Sequence, residues 1–159
     1  MDTNPFSYLM DENPIFPSEI SLIPLDRYNW EECLDITLTP EQSAFIPPVL
    51  YSLAQAKFEA LTPYGIRTSE RMVGLLMYGE FTGLCWINRI MVDVAYQQKG
   101  IGSVALKTIT AQLKRNVRCK EIRASYAPDN YAAAALFASA GFHPLAASLE
   151  NEVVVQYRG

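Results

Sequence analysis

The spacing of apolar residues changes several times along the chain, and each change marks an element. Residues 20–25 form a short apolar run that predicts a strand. Residues 29–38 read as a helix, with Asn29 as its cap, Glu31 and Glu32 in its first turn, and Thr39-Pro40 as its stop. After Pro47-Pro48, residues 49–61 predict a second helix, since Leu50, Leu53, Ala54, Lys57, Phe58 and Leu61 recur at helical spacing. Residues 64–67 and 72–79 read as strands joined by the polar turn 68–71. Residues 86–92 are apolar except for Asn88 and Arg89, which predicts a strand covered on both faces. The strongest helix is 101–115: Ile101, Ala105, Ile109 and Leu113 make one stripe, and Lys107, Thr110 and Lys114 make another. A strand over 121–126 follows, then a helix over 129–140, capped by Asp129 or Asn130 and stopped by Gly141, and a strand over 153–157. The order β-α-α-β-β-β-α-β-α-β predicts an α/β fold, with antiparallel strands first and a strand–helix–strand unit later.

Size and composition narrow the class. A chain of 159 residues fits one core, and a composition that is 50% hydrophobic and 19% charged is globular. A net charge of −4 argues against a nucleic-acid partner. No apolar run reaches membrane-spanning length, and the first residues lack the basic and apolar regions of a signal peptide, so a cytoplasmic protein is expected. Residues 1–19 read as an irregular lead-in with Pro5, Pro14 and Pro17, and 20–159 as a single domain. The lead-in also carries Phe6, Tyr8, Leu9, Met10, Ile15 and Phe16, so part of it is expected to dock on the domain or a second subunit. The three cysteines show no C-x-x-C spacing; Cys33 and Cys119 are expected as packed or half-exposed thiols in a reducing compartment. A single histidine, His143, excludes a multi-histidine metal site, and its place before Pro144 suggests a turn. No metal is expected.

The chemistry concentrates in Gln97-Gln98-Lys99-Gly100-Ile101-Gly102, a glycine loop between a strand and the strongest helix. A helix start presents unpaired N–H groups and the positive end of the helix dipole, and glycine lets an oxygen-rich ligand come close. The loop therefore reads as a phosphate site, with the Lys99 charge within it. A Walker loop needs Gly-Lys-Ser/Thr, and Gly102 is followed directly by Ser103. A dinucleotide fingerprint is formally met by Gly100, Gly102 and Ala105, but its acidic ribose ligand should end the next strand, and Glu121 begins it.

The chain from about residue 20 onward resembles the GNAT N-acetyltransferase superfamily. The resemblance rests on three motifs in order: Ile90-Met91-Val92 leading to Tyr96, the Gln97–Gly102 loop, and Pro128-Asp129-Asn130 opening a helix that closes Leu136-Phe137-Ala138-Ser139-Ala140-Gly141-Phe142. It implies a mixed, partly splayed sheet with helices on both faces, acetyl-coenzyme A as co-substrate, and commonly a homodimer. It implies that the N–H groups of Gln98, Lys99, Gly100, Ile101 and Gly102 hold the diphosphate, with Gln97 opening the loop. The strand ending Met91-Val92 would part from the one ending Tyr126, and its freed backbone groups would pair with the pantetheine arm. Asn130 would serve as helix cap, as a side chain toward the cofactor, or as both.

The resemblance also marks two departures. Asn88 stands where many members carry a glutamate base, and Phe137 stands where they carry a tyrosine acid. Asparagine can order a water but cannot take a proton, and Phe137 can pack under the cofactor. Glu80, Tyr78 and Tyr126 are the substitute groups, each with an ordinary structural reading beside the catalytic one. Arg89, set by alternation opposite Asn88 and Ile90, is expected in an ion pair with a carboxylate. Residues 40–46, 51–54, 77–79 and 86–92 resemble the spermine/spermidine (diamine) acetyltransferase branch. That branch implies a small amine acceptor, a polyamine first, with Glu31, Glu32, Asp35 and Glu41 on the acceptor side. Two alternatives stay open: a non-catalytic acetyl-coenzyme A-binding sensor or interaction protein, for which Asn88 and Phe137 speak, and an acyltransferase using a longer acyl group or a protein amine.

Overall fold

The predicted strands join one seven-stranded sheet in the computed structural model, which describes residues 19–159. The expected docking of the lead-in lies outside the described residues. The strands are β1 (Ser21–Pro24), β2 (Thr62–Arg67), β3 (Met72–Phe81), β4 (Leu84–Val92), β5 (Glu121–Tyr126), β6 (Phe142–Leu149) and β7 (Glu152–Tyr157), in the spatial order β1-β2-β3-β4-β5-β7-β6. The β4–β5 pair is parallel and every other pair is antiparallel. The sheet is mixed, as expected, and antiparallel pairing up to β4 excludes the dinucleotide-binding topology.

Helices cover both faces. On one lie α3 (Ile101–Lys114) and α4 (Tyr131–Ser139), with Ile101, Ala105, Ile109 and Leu113 buried as the stripe predicted. Thr110 joins the buried side instead of a polar stripe; its hydroxyl donates to the Leu106 carbonyl. On the other face lie a 3-10 helix (Trp30–Asp35), α1 (Pro40–Ser43) and α2 (Val49–Phe58), over a core that includes Cys33, Met72, Leu75, Met77 and Met91.

Several expectations are corrected here. The helix expected over 29–38 is only the 3-10 turn. Asn29 does not cap it, because its side chain accepts from the Asp26 N–H and donates to the Pro24 carbonyl. Thr39 starts a helix instead of stopping one: it forms a reciprocal capping box with Gln42. The buried face of α2 is Val49, Ser52 and Ala56, whose small side chains allow close approach, while Leu50 and Phe58 point outward at 62% and 88% exposure. β6 was not anticipated, and His143 lies within it opposite Gln156, not in a turn. Cys85 and Cys119 form a disulfide across 34 residues, their Cα atoms 5.3 Å apart, so Cys119 is not a thiol. Pairing of Cys85 with Ile122 in the β4–β5 register brings Cys119 alongside. Cys33 is a buried free thiol; desolvation, then the neighbouring Glu32 charge, push its pKa up to about 12. Among the described residues no helix is long and apolar enough to cross a membrane.

One irregularity positions the site. Tyr78 pairs with Ile87 and Met77 with Arg89, so Asn88 is the extra residue of a β-bulge. β4 pairs with β5 only as far as Ile87 and Ala124. Beyond Asn88 the two strands part, and residues 88–92 present a free edge to a cleft.

Candidate active site

The end of β4 is fixed by buried polar contacts. The Asp93 carboxylate accepts from the N–H groups of Ala95 at 3.0 Å and Thr37 at 2.8 Å, which pins the turn to the segment before α1. The Asp93 N–H donates to the Val73 carbonyl. Antiparallel alternation then turns the backbone groups of Ile90 and Val92 to the free edge and those of Met91 toward β3. This corrects the expected role of Met91, which contributes a buried side chain and not backbone partners. Ile90, which the sequence reading missed, offers the backbone groups instead. The Val92 carbonyl accepts from Gln97 Nε2 at 2.8 Å.

Gln97 is a structural clamp. Its amide exchanges two hydrogen bonds with Gln42, each 2.8 Å, so its side chain ties the glycine loop to α1 and to β4. Gly100 then takes φ +79° and ends the loop at the first residue before α3. A Cβ built on Gly100 would meet nothing within 4 Å, and one on Gly102 would only touch the Leu136 methyls at 3.7 Å and 3.8 Å and a Val92 methyl at 3.8 Å. The open ground before the α3 N–H groups fits a diphosphate, which needs close backbone donors and no side chain in the way. Lys99 does not line the cleft; its Nζ lies 5.9 Å from the Tyr96 ring centroid.

A cavity of about 370 Å³ runs from Gln98, Gly100, Ile101 and Gly102 along Met91 and Val92. A second cavity of about 510 Å³ shares Phe45, Ile46, Ile90 and Asn130 as walls, so the two are neighbours along β4. Asn130 lines both while its Oδ1 accepts from the Ala133 N–H at 3.2 Å, so cap and cleft position coincide. The second cavity lies where β4 and β5 part. Asn88 and Arg89 line it from β4, Ser125 and Tyr126 from β5. Its floor is Phe137, 4% exposed, stacked under Tyr126 at 6.1 Å and 12°, and edge-on to Phe142 at 5.2 Å.

The other sequence candidates are elsewhere. Glu80 sits at the β3–β4 hairpin end, opposite Cys85, where it accepts from Asn116 Nδ2 at 2.9 Å and lies 3.9 Å from Arg118. Tyr78 is buried in the core against Tyr64, and burial raises its pKa. Among the described residues Arg89 is not in an ion pair. Its Nη1 donates to Ser52 Oγ and Gln55 Oε1, both at 2.9 Å, and no carboxylate among the described residues pairs with it. Desolvation lowers its pKa, against smaller raising effects from Tyr51 and Glu59. The bulge also undoes the expected alternation, since Asn88 and Arg89 line the same cavity. Glu31, Glu32, Asp35 and Glu41 do not line it, and Glu32 instead pairs with Arg67 at 2.7 Å. The acids that do line it, Glu150 and Glu152, were missed. Reading 142–149 as a strand, with Glu150-Asn151 as a two-residue turn, would have placed both.

Residues 28–142 match the model of the acetyltransferase (GNAT) family. The spermine/spermidine N(1)-acetyltransferase of Bacillus subtilis (strain 168) is 30% identical over 118 residues, 69% of this chain and 78% of that protein. Among solved structures, AAC(6')-Ib in complex with paromomycin and acetyl-coenzyme A superposes with a TM-score of 0.71 at 15% identity, over 87% of this chain and 92% of that one. Spermidine N-acetyltransferase from Vibrio cholerae, in complex with coenzyme A and spermine, gives 0.67 at 14% identity, over 87% and 94%. At these identities the two superpositions bear on the fold.

Proposed function

The chain belongs to the acetyltransferase (GNAT) family, whose co-substrate is acetyl-coenzyme A, and from that premise we propose that it acetylates a small cationic amine, a polyamine first. The observation that carries this reading is a pair of cavities that share walls along β4: one at the glycine loop and helix start, the other, polar, at the strand parting. The backbone N–H groups of Gln98, Gly100, Ile101 and Gly102 receive the diphosphate, with Gln97 and Asn130 holding the frame. The edge of Ile90 and Val92 receives the amide-rich arm, which loses water on burial and needs backbone partners. The thioester then lies near Asn88, Tyr126 and Phe137.

In this reading Asn88 holds a water or a substrate group, and Tyr126 replaces the missing tyrosine of the α4 motif. A phenol can protonate the departing sulfur, and the stacked Phe137 fixes its ring. The relatives named for spermine and spermidine support a polyamine acceptor, and Glu150 and Glu152 supply negative charge at that end of the cleft. Thiol release with spermidine against a neutral hydroxyl analogue tests the acceptor: turnover of the neutral compound alone would refute it. A homodimer belongs to the same reading, with Leu50, Tyr51 and Phe58 exposed on α2 as a surface for it; sedimentation of the purified protein tests that part. The second reading, a non-catalytic acetyl-coenzyme A binder, has Asn88 and Phe137 in its favour and requires binding without thiol release.

A further inference from the structure

Asn88 leaves the β4 wall of the cavity without a base, but the opposite wall carries one. β7 begins at Glu152, and its register against β5 pairs Val153 with Tyr126 and Val154 with Ser125. Glu152 therefore shares a sheet face with Val154 and Ser125, one residue before the partner of Tyr126, and it lines the cavity. Ser125 Oγ donates to Glu152 Oε2 at 2.5 Å. That bond holds one carboxylate oxygen and leaves the other to accept. Among the described residues no lysine or arginine forms an ion pair with Glu152. A carboxylate held by a neutral donor, lining the same cavity as the group read as the acid, is what an ammonium acceptor needs.

We propose that Glu152 binds the acceptor's ammonium group and takes its proton, with Ser125 as the residue that positions it; this rests on the acetyl-transfer reading above. The ammonium gives one proton to the carboxylate. The freed nitrogen pair forms the C–N bond at the thioester carbonyl, and the C–S bond breaks with its electron pair on sulfur. The nitrogen's next proton reaches sulfur through the Tyr126 hydroxyl, which gives one proton and regains one. Amide and thiol result, and Glu152 returns its proton to solvent, so one proton is released per turnover. The other titratable or charged groups lining the cavity are Arg89 on β4, Tyr126 on β5 and Glu150 on the turn before β7.

The test is the pH dependence of kcat/KM with spermidine for the native protein, Glu152→Gln, Glu152→Asp and Ser125→Ala, with acetyl-coenzyme A affinity measured alongside. Glu152→Gln should lose about 10²–10⁴-fold in kcat/KM, as expected for a proton-transfer group, with cofactor affinity unchanged. Glu152→Asp should recover part of that loss, and Ser125→Ala should shift the acidic limb of the profile. A weakly basic aromatic amine, already unprotonated at the assay pH, should lose far less in Glu152→Gln, which a structural role would not produce. Native-like turnover of spermidine by Glu152→Gln, or equal losses with both amines, overturns the proposal while leaving acetyl transfer standing. No thiol release by the native protein with any amine overturns the acetyl-transfer reading and Glu152 with it.

Discussion

Replacing Gly100 separates cofactor binding from stability. At φ +79° a side chain costs about 1–2 kcal/mol of backbone strain. No protein atom lies within 4 Å of the added Cβ, so no clash adds to it. For a chain of this size that strain lowers Tm by about 2–8 °C. Gly100→Asp also puts a negative charge into the open ground before α3. A unit charge about 4 Å from a phosphate oxygen is unfavourable by about 1 kcal/mol in water and by about 4 kcal/mol at an effective dielectric of about 20. Affinity for acetyl-coenzyme A should therefore fall between about fivefold and about 10³-fold. Gly83 is the control: it has φ +86° on the β3–β4 hairpin, and its added Cβ would only touch Lys120 at 3.6 Å. Gly83→Asp should show a similar Tm loss and unchanged affinity. Calorimetry with acetyl-coenzyme A and thermal denaturation measure both quantities. Native affinity in Gly100→Asp, or equal losses in the two variants, would refute the loop assignment.

Three more expectations follow from named contacts. Gln97→Ala removes the hydrogen bonds to Gln42 and Val92, so acetyl-coenzyme A affinity should drop and amide exchange in the loop should rise; an unchanged exchange pattern would show that the clamp does not hold the loop. Tyr126→Phe should lower single-turnover thiol release by about 10²–10⁴-fold without weakening cofactor binding, and native rates would remove Tyr126 as the acid. Cys33 should be inert to alkylation in the folded protein and react once after unfolding without reductant, with three thiols appearing only after reduction. Its folded pKa is raised from 9.0 to about 12, so above pH 9 the unfolded state holds fewer protons and stability declines as pH rises toward 12. Cys33→Ser should flatten that decline, and an identical decline in the variant would place its cause elsewhere.

Period and punctuation in the chain were enough to read the strands that surround the loop. The stripe Ile101-Ala105-Ile109-Leu113 and the Gly100–Gly102 spacing are local signals, and the structure buries the first and opens the second. Features that depend on pairing were not legible. The bulge at Asn88 exists only in the β3–β4 register, so alternation misread Arg89. β6 lacks alternation around His143-Pro144 and is an edge strand with a register shift, and its omission hid Glu150 and Glu152. On α2 Leu50, Tyr51 and Phe58 face outward while Val49, Ser52 and Ala56 face the sheet, which hydrophobicity alone does not select. The Cys85–Cys119 link joins a strand to a loop 34 residues away, which spacing cannot reveal. Gln97 was read as part of the cofactor loop, but its partner Gln42 lies 55 residues earlier.

The direct measurement is a product balance: purified protein, acetyl-coenzyme A and spermidine, with thiol followed by colour and the amine by mass. Acetyl transfer in the cleft predicts one N-acetylated amine for each thiol, with both signals reduced together in Gly100→Asp at subsaturating acetyl-coenzyme A. Tight binding of acetyl-coenzyme A with neither thiol nor acetylated amine, across polyamines, amino acids and aminoglycosides, would contradict it and identify the chain as a binder without chemistry.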